Sequence, residues 1–191
     1  MNPVPLLPGM YYHIYNRGNN RENIFVEEKN YFYFLRLYAR HIEPVAETYA
    51  YCLLGNHFHF LIRVKEEPSK PPSRAFSNLF NAYARALNKT YGRTGALFQR
   101  PFQRIQVITE AHLYYLVIYI HRNPRKHDFV DDFREWPFSS YQALISDRPT
   151  RLRRDDVLAW FGGRENLIAS HLEHLARGDR ELDALTPEDW D

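Results

Sequence analysis

Two histidines one residue apart lie inside an apolar run, LLGNHFHFLI, at residues 53–62. Because side chains alternate across a β-strand, His57 and His59 would share one face, about 7 Å apart, while Phe58 and Phe60 face the other way. Two neutral imidazoles on one face are suited to a divalent cation, whose shell a third ligand and water would complete. The alternative is that both histidines are ordinary polar residues on a solvated sheet face.

A tyrosine and an amide recur at helical spacing in the segment LVIYIHRNP, residues 116–124. Tyr119 and Asn123 are four positions apart and would share one helical face with Tyr115, whereas His121 would point elsewhere. Beside a cation, a phenolate can attack phosphorus and form a covalent phosphotyrosine. The competing interpretation is an aromatic stripe that packs on a sheet, since neighbouring positions are also aromatic.

The elements that would position these residues alternate between strands and helices. The predicted order is strand 10–18, helix 27–42, strands 45–54 and 57–64 joined by a Gly-Asn turn, helix 75–92, strand 103–108 and helix 109–123, which closes before Pro124. This order matches a split βαβ arrangement, an α+β ferredoxin-like antiparallel sheet with helices packed on one face. The histidine pair would then lie on the open face of the sheet.

Charge and pattern divide the chain into two regions. Residues 1–145 would form the domain that contains the sheet, and residues 146–191 a helical appendage docked on it. Residues 155–191 carry ten acidic and three basic residues, so the appendage is acidic. Residues 63–106 carry nine Lys or Arg against two acids, interleaved with aromatic residues, which suits a phosphate backbone with stacked bases. Solvated helix charges are the alternative interpretation of this basic segment.

Composition excludes several classes of protein. The chain has 191 residues, of which 45% are apolar and 25% charged, as in globular proteins. No apolar run reaches the roughly 18 residues of a membrane span, and the sequence MNPVPLLPGM lacks the pattern of a signal peptide. The single Cys52 cannot form an internal disulfide, and with His57 and His59 it does not supply the four ligands of a structural zinc site. We therefore expect a cytoplasmic protein with no membrane partner.

Four motifs together resemble the single-tyrosine His-hydrophobic-His (HUH) transposases, especially the REP-associated tyrosine transposase branch. These motifs are YHIYNRGNNRENIF, YCLLGNHFHFLI, YIHRNP and WPFSSYQ, and the resemblance extends from about Tyr11 to Tyr141 before it fades beyond about Ile145. The family implies a ferredoxin-like endonuclease and strand transferase that acts on single-stranded DNA with Mg²⁺ or Mn²⁺. Residues 1–145 would then be the HUH catalytic domain.

The resemblance also implies roles for individual residues. His57 and His59 match the metal ligands, Tyr119 matches the nucleophile, and Asn123 matches the amide that completes the metal shell. Because a proline disfavours helical dihedrals in the preceding residue, we expect Asn123 to be displaced, with His121 or water as a substitute ligand. Attack by Tyr119 would leave a 5′-phosphotyrosine and a free 3′-OH, and a second strand's 3′-OH would reverse the step.

The implied partner is single-stranded or hairpin DNA, from hairpin-forming repeats. Part of a hairpin would be read by Asn16, Arg17 and Arg21 in the segment NRGNNR. Backbone phosphates would be held by four basic residues in or next to the middle helix: Arg74, Arg85, Lys89 and Arg93. Solvated loop and helix charges are again the alternative. Both a homodimer and a monomer fit the sequence. The main alternative function is a domesticated DNA-binding protein that keeps the fold but has lost cleavage.

Overall fold

The computed structural model describes residues 4–177 and contains one four-stranded antiparallel sheet. The strands are β1 (Tyr11–Arg17), β2 (Ala46–Leu54), β3 (His57–Val64) and β4 (Gln103–Val107). They pair in the order β2-β3-β1-β4, so β1 and β3 are central. The Gly55-Asn56 turn joins β2 to β3, as the sequence predicts for a tight hairpin.

Two helices cover one face of the sheet. α1 (Glu28–Ile42) begins where Asn30 Oδ1 accepts the backbone N–H groups of Val26 and Glu27, each at 2.9 Å. α2 (Pro72–Tyr91) ends at Gly92, whose left-handed conformation suits glycine. Aromatic side chains of β3 pack beneath both helices in one buried cluster. The predicted order of strand, helix, hairpin, helix and strand is therefore confirmed, as is the α+β ferredoxin-like fold class.

A third helix, α3 (Glu110–Lys126), lies across the opposite face of the sheet. It begins at Thr109, whose hydroxyl accepts the N–H of His112 at 3.1 Å. Its Leu116, Val117 and Ile120 join the sheet residues of that face in a second buried cluster. The expectation that helices cover only one face is therefore wrong in this detail, because α3 has an apolar side that is buried on the second face.

Pro124 lies inside α3 and does not end it. The sequence predicts that the helix closes at residue 123, but it continues to Lys126. The chain then turns through bonds from His127 N–H to Asn123 O at 3.0 Å and from Phe129 N–H to Pro124 O at 2.8 Å. Residues 121–124 are buried, and burial of this part of the helix outweighs the one helical hydrogen bond that a proline cannot donate.

Three further helices follow: α4 (Tyr141–Ile145), α5 (Arg154–Phe161) and α6 (Arg164–Arg177). Val157, Phe161 and Leu167 belong to the same buried cluster as α3, so the described part of the predicted appendage packs on that helix. The division at residue 145 stays a prediction, and residues 178–191 lie outside the described residues. No helix within residues 4–177 is long and apolar enough to cross a membrane.

Candidate active site

The face of the sheet beneath α3 collects polar side chains from the two central strands. Tyr15 on β1 is opposite His59 on β3, and Arg17 is opposite His57. Since these positions alternate with apolar ones, His13 shares the same face. All five residues are buried. The histidine pair is thus not on an open, solvated face, and that expectation is wrong because α3 covers it.

The two histidines predicted as metal ligands lie side by side. Their ring centroids are 5.2 Å apart with the ring planes nearly perpendicular, and their exposed fractions are 2% for His57 and 3% for His59. His57 Nδ1 lies 2.6 Å from Asn56 Oδ1, and His59 Nδ1 lies 2.9 Å from His13 Nε2. Each Nδ1 is therefore engaged, whereas neither Nε2 has a hydrogen-bond partner among the described residues.

Asn123 is buried and presents its amide oxygen without a hydrogen-bond partner of good geometry in the described part of the chain. Its Nδ2 donates to Tyr119 O at 2.8 Å, one turn earlier in α3, which fixes the orientation of the amide. The helix continues past this residue, so the expected displacement by Pro124 does not occur. His121 is not a substitute ligand, because its two ring nitrogens bond to His171 and Ser140.

Three buried acceptor atoms that lack a hydrogen-bond partner in the described part of the chain fit a metal ion: His57 Nε2, His59 Nε2 and Asn123 Oδ1. Buried polar atoms in proteins are nearly always satisfied, so such a group needs an explanation, and a bound ion is one. Imidazole nitrogens and an amide oxygen suit a divalent cation. Within residues 4–177 no group of three His, Cys, Asp or Glu side chains is arranged to hold a metal, so an amide would supply the third ligand.

Burial keeps the candidate ligands neutral. It lowers the pKa of both His57 and His59 well below the usual histidine value, and the nearby positive groups His127 and Lys126 lower it further. The amide oxygen of Asn123 acts in the opposite direction and raises the pKa of His57, so this amide lies beside the ring even though the two side chains form no hydrogen bond of good geometry. Neutral imidazole is the form that coordinates a metal, so the site has the required protonation state at neutral pH.

Tyr119 lies next to the histidine pair. Its ring centroid is 5.5 Å from that of His59 and 6.1 Å from that of His13, and Lys126 Nζ is 5.6 Å from the ring. The structure therefore brings together the nucleophile and the ligands that the sequence predicts. The tyrosine is 6% exposed, however, so it is packed under the helix that carries it. Tyr115, one turn earlier, instead contacts His174 of α6.

Sequence reasoning missed several residues of this site. Tyr15 stacks on His59 at 5.9 Å, and burial together with Tyr119 raises its pKa to about 12, so the site contains a second phenol. His127 lies 4.7 Å from the ring of His57. The alternation of His13, Tyr15 and Arg17 in β1 is the one signal in the sequence that marks them as a common face. Which residues of β3 lie opposite them depends on the strand register, which pairs Arg17 with His57, 40 residues later in the chain.

The residues predicted to bind DNA lie at several separate places. Arg17, 7% exposed, is beside His57 in the candidate site, whereas its neighbour Asn16 faces the opposite side of the sheet and lines a groove of about 600 Å³ between α2 and the segment before β4. Arg21 is exposed in the turn after β1. Arg74, Arg85 and Lys89 share one exposed side of α2, and Arg93 forms an ion pair with Glu22. The structure thus does not bring the predicted DNA contacts together.

Comparison with known proteins gives two similarities. No protein-family model matches the chain. A protein of Haemophilus influenzae named "Putative REP-associated tyrosine transposase" is 29% identical over 107 residues, which are 52% of this chain and 61% of that protein, so the chain spans less than two thirds of this relative. A solved structure of a REP-associated tyrosine transposase bound to a REP hairpin matches with a TM-score of 0.62 and 18% identity, over 78% of this chain and 87% of that one. The structural likeness shows the shared fold, and together the two similarities support the resemblance of this chain to the REP-associated tyrosine transposases.

Proposed function

We propose that this protein is a metal-dependent endonuclease and strand transferase that acts on single-stranded DNA, on hairpin-forming repeats, through a 5′-phosphotyrosine intermediate. The observation that carries the proposal is the position of Tyr119 beside His59, one of three residues whose buried acceptor atoms have no hydrogen-bond partner within residues 4–177. The relative and the solved structure, by their names a tyrosine transposase and a transposase bound to a REP hairpin, support the same activity.

The residues of the chain divide the chemistry between them. His57, His59 and Asn123 would hold Mg²⁺ or Mn²⁺, which when bound neutralises charge on the scissile phosphate. Tyr119 Oη would form a bond to phosphorus as the bond from phosphorus to the 3′ oxygen breaks. The phenol loses one proton and the 3′ oxygen gains one, so the step is balanced without another reactant. Attack by a 3′-OH of a second strand reverses it and joins DNA.

Burial of Tyr119 favours one alternative, an inactive DNA-binding protein of the same fold. Tyr119 is 6% exposed, so little of its surface is accessible to a phosphate from solvent. Under the proposed function, a shift of α3 on DNA binding would expose more of it. Pro124 provides a weak point for such a shift. It has no N–H to donate to Ile120 O, so the turn of α3 that carries Tyr119 and Asn123 lacks one helical hydrogen bond. If α3 does not shift, the protein binds DNA without cleaving it.

The test is the formation of a covalent adduct between the protein and a labelled single-stranded hairpin oligonucleotide. With Mn²⁺ present, we expect a band of protein linked to DNA on a denaturing gel, and Tyr119→Phe should abolish it because the attacking oxygen is gone. Omission of the metal should also abolish it. Absence of adduct from the unchanged protein, with DNA bound in a mobility-shift assay, would favour the inactive alternative.

Tyr15→Phe is the matched control, because it removes the same atom from the second phenol of the site. Adduct formation should persist in this variant, at a rate within about tenfold of the unchanged protein. If Tyr15→Phe abolishes the adduct and Tyr119→Phe retains it, the nucleophile is Tyr15 and our assignment is wrong.

A further inference from the structure

The ring nitrogen that each candidate ligand offers to a metal depends on the hydrogen bond at its other nitrogen. A neutral imidazole carries one proton, so a proton on Nδ1 leaves a lone pair on Nε2, and a proton on Nε2 blocks it. The partners of the two Nδ1 atoms therefore decide whether the pair can bind an ion. These partners are Asn56 for His57 and His13 for His59.

The network around Asn56 determines the tautomer of His57. Asn56 Nδ2 donates to the backbone oxygen of Arg21 at 3.3 Å, so the other atom of the amide, Oδ1, is the one that faces His57. An amide oxygen only accepts, which means that His57 Nδ1 donates. His57 Nε2 is then left with its lone pair, next to the ring of His59.

His13 can play the same part for His59. It is buried in β1, its ring is stacked on that of His59 at 5.1 Å, and its Nε2 lies 2.9 Å from His59 Nδ1. Two arrangements of the shared proton are possible. Only the one in which His59 Nδ1 donates to His13 Nε2 leaves His59 Nε2 able to coordinate, beside His57 Nε2 and Asn123 Oδ1, which also lack partners among the described residues.

We propose that Asn56 and His13 are positioning residues, each of which accepts the Nδ1–H of one ligand imidazole and so directs both Nε2 lone pairs toward the same cation. This inference rests on the metal site of the proposed function. It assigns a role to the first histidine of the motif YHIYNR and to the turn residue before His57, neither of which touches the ion or the DNA in this scheme.

Substitutions at position 13 test the role of the acceptor. His13→Gln retains an oxygen that can accept from His59 Nδ1, whereas His13→Leu has similar bulk and no acceptor. We expect His13→Leu to weaken Mn²⁺ binding about 10- to 100-fold, as other losses of such partners do, and His13→Gln to stay within about threefold. Mn²⁺ binding is followed by the electron paramagnetic resonance signal of the free ion, in the absence of DNA.

His171→Leu is the matched control. His171 forms an equally buried bond between two imidazoles, His121 Nδ1 to His171 Nε2 at 2.8 Å, but on the side of α3 away from the site. This variant should lose thermal stability while its Mn²⁺ affinity is unchanged. If His13→Leu folds and binds Mn²⁺ as tightly as the unchanged protein, or if His13→Gln binds no better than His13→Leu, the proposal is wrong.

A second measurement uses the unchanged protein, so it does not depend on whether a variant folds. Long-range proton–nitrogen correlation spectra of the full chain without metal report which ring nitrogen of each histidine carries the proton. We expect protonated Nδ1 on both His57 and His59, and a main form protonated at Nε2 on either residue would overturn the inference. Failure of the unchanged protein to bind Mn²⁺ would instead refute the metal site of the proposed function, so the two failures are distinguishable.

Discussion

At the scale of single residues, the site combines buried hydrogen-bond acceptor atoms with positively charged side chains. His57, His59 and Asn123 present acceptor atoms, whereas Arg17 and Lys126 surround them with positive charge that helps to lower the pKa of His57. This charge does not assist metal binding, because cations repel. It is explained if a phosphate enters together with the metal, since two cationic side chains would then offset the charge of the backbone.

Arg17 provides the prediction at this scale. It is buried opposite His57, so we expect Arg17→Gln to slow DNA cleavage about 10²- to 10³-fold, the range found when one donor to the transition state is removed. Mn²⁺ affinity should stay the same or increase, because a nearby positive charge is lost. Cleavage rates under single-turnover conditions and Mn²⁺ titrations measure the two effects separately.

An exposed arginine distant in sequence, changed in Arg148→Gln, serves as the control for loss of charge alone. Its cleavage rate should match that of the unchanged protein. Equal rates for Arg17→Gln and the unchanged protein would show that Arg17 does not interact with the scissile phosphate, and would return it to a structural role in β1.

At the scale of elements, α3 is held in place by a chain of buried hydrogen bonds on the side away from the site. His171 Nδ1 donates to Leu167 O at 2.8 Å within α6, so His171 Nε2 accepts from His121 Nδ1. His121 Nε2 lies 2.8 Å from the hydroxyl of Ser140, which also donates to Tyr51 O at 3.1 Å. This chain of contacts links α3, α6 and the residue before α4.

This chain of bonds predicts a loss of stability in acid. Burial lowers the pKa of His171 to about 4 and that of His121 well below the usual 6.5. The unfolded chain therefore binds more protons than the folded chain below about pH 6.5. Above that pH, the two neutral imidazoles make their full contribution to the free energy of unfolding. It decreases as pH falls toward 4, by at most about 1.4 kcal/mol per pH unit for each imidazole.

Urea denaturation of the protein at pH 7, 6 and 5 measures this dependence. Other buried histidines contribute in the same direction, so the informative quantity is the difference between the unchanged protein and His171→Gln, which lacks one titrating group. The variant should be less stable at pH 7 and should lose less stability per pH unit below 6. An identical slope in both proteins would contradict the account of this hydrogen-bond chain.

The helices and strands also differ in how far local sequence signals predict them. Apolar periodicity and turn residues such as Gly55 and Asn56 predict the order of strands and helices, because these signals are local. The continuation of α3 past Pro124 depends on tertiary burial of residues 121–124, which no local pattern encodes. Similarly, His57 and His59 are evident from their spacing, but their partner His13 is 46 residues away from His59 and depends on strand register.

The alternation of side chains along β1 separates two of the predicted DNA contacts. Neighbouring side chains of a strand lie on opposite faces of the sheet, so Asn16 and Arg17 cannot both contact a nucleotide that binds on one face. The structure places Arg17 beside His57 and Asn16 near α2. Asn16 and Arg17, two of the predicted DNA contacts, are thus the last two residues of β1 and lie on opposite faces of the sheet.

At the scale of the whole molecule, the candidate site and the exposed basic side of α2 lie on opposite faces of the sheet. Under the proposed function, a strand of DNA that contacts both would pass around an edge of the sheet or over its end at Arg17 and His57. The β2 edge is covered, because Leu53 N–H donates to Phe138 O and Arg153 N–H donates to Thr48 O, each at 2.9 Å. The remaining edge is β4, where Arg104 stacks on Phe102 at 4.0 Å.

The central claim, that one buried phenol and one pair of imidazoles act on the same phosphate, is tested most directly by locating the DNA attachment. Trypsin would place Tyr119 in the peptide 105–122 and Tyr15 in the peptide 1–17, so mass spectrometry of the adduct formed with Mn²⁺ distinguishes the two phenols. We predict a nucleotide linked to peptide 105–122, with fragmentation assigning it to Tyr119. Attachment to peptide 1–17, or to Tyr114 or Tyr115 within peptide 105–122, would contradict the account.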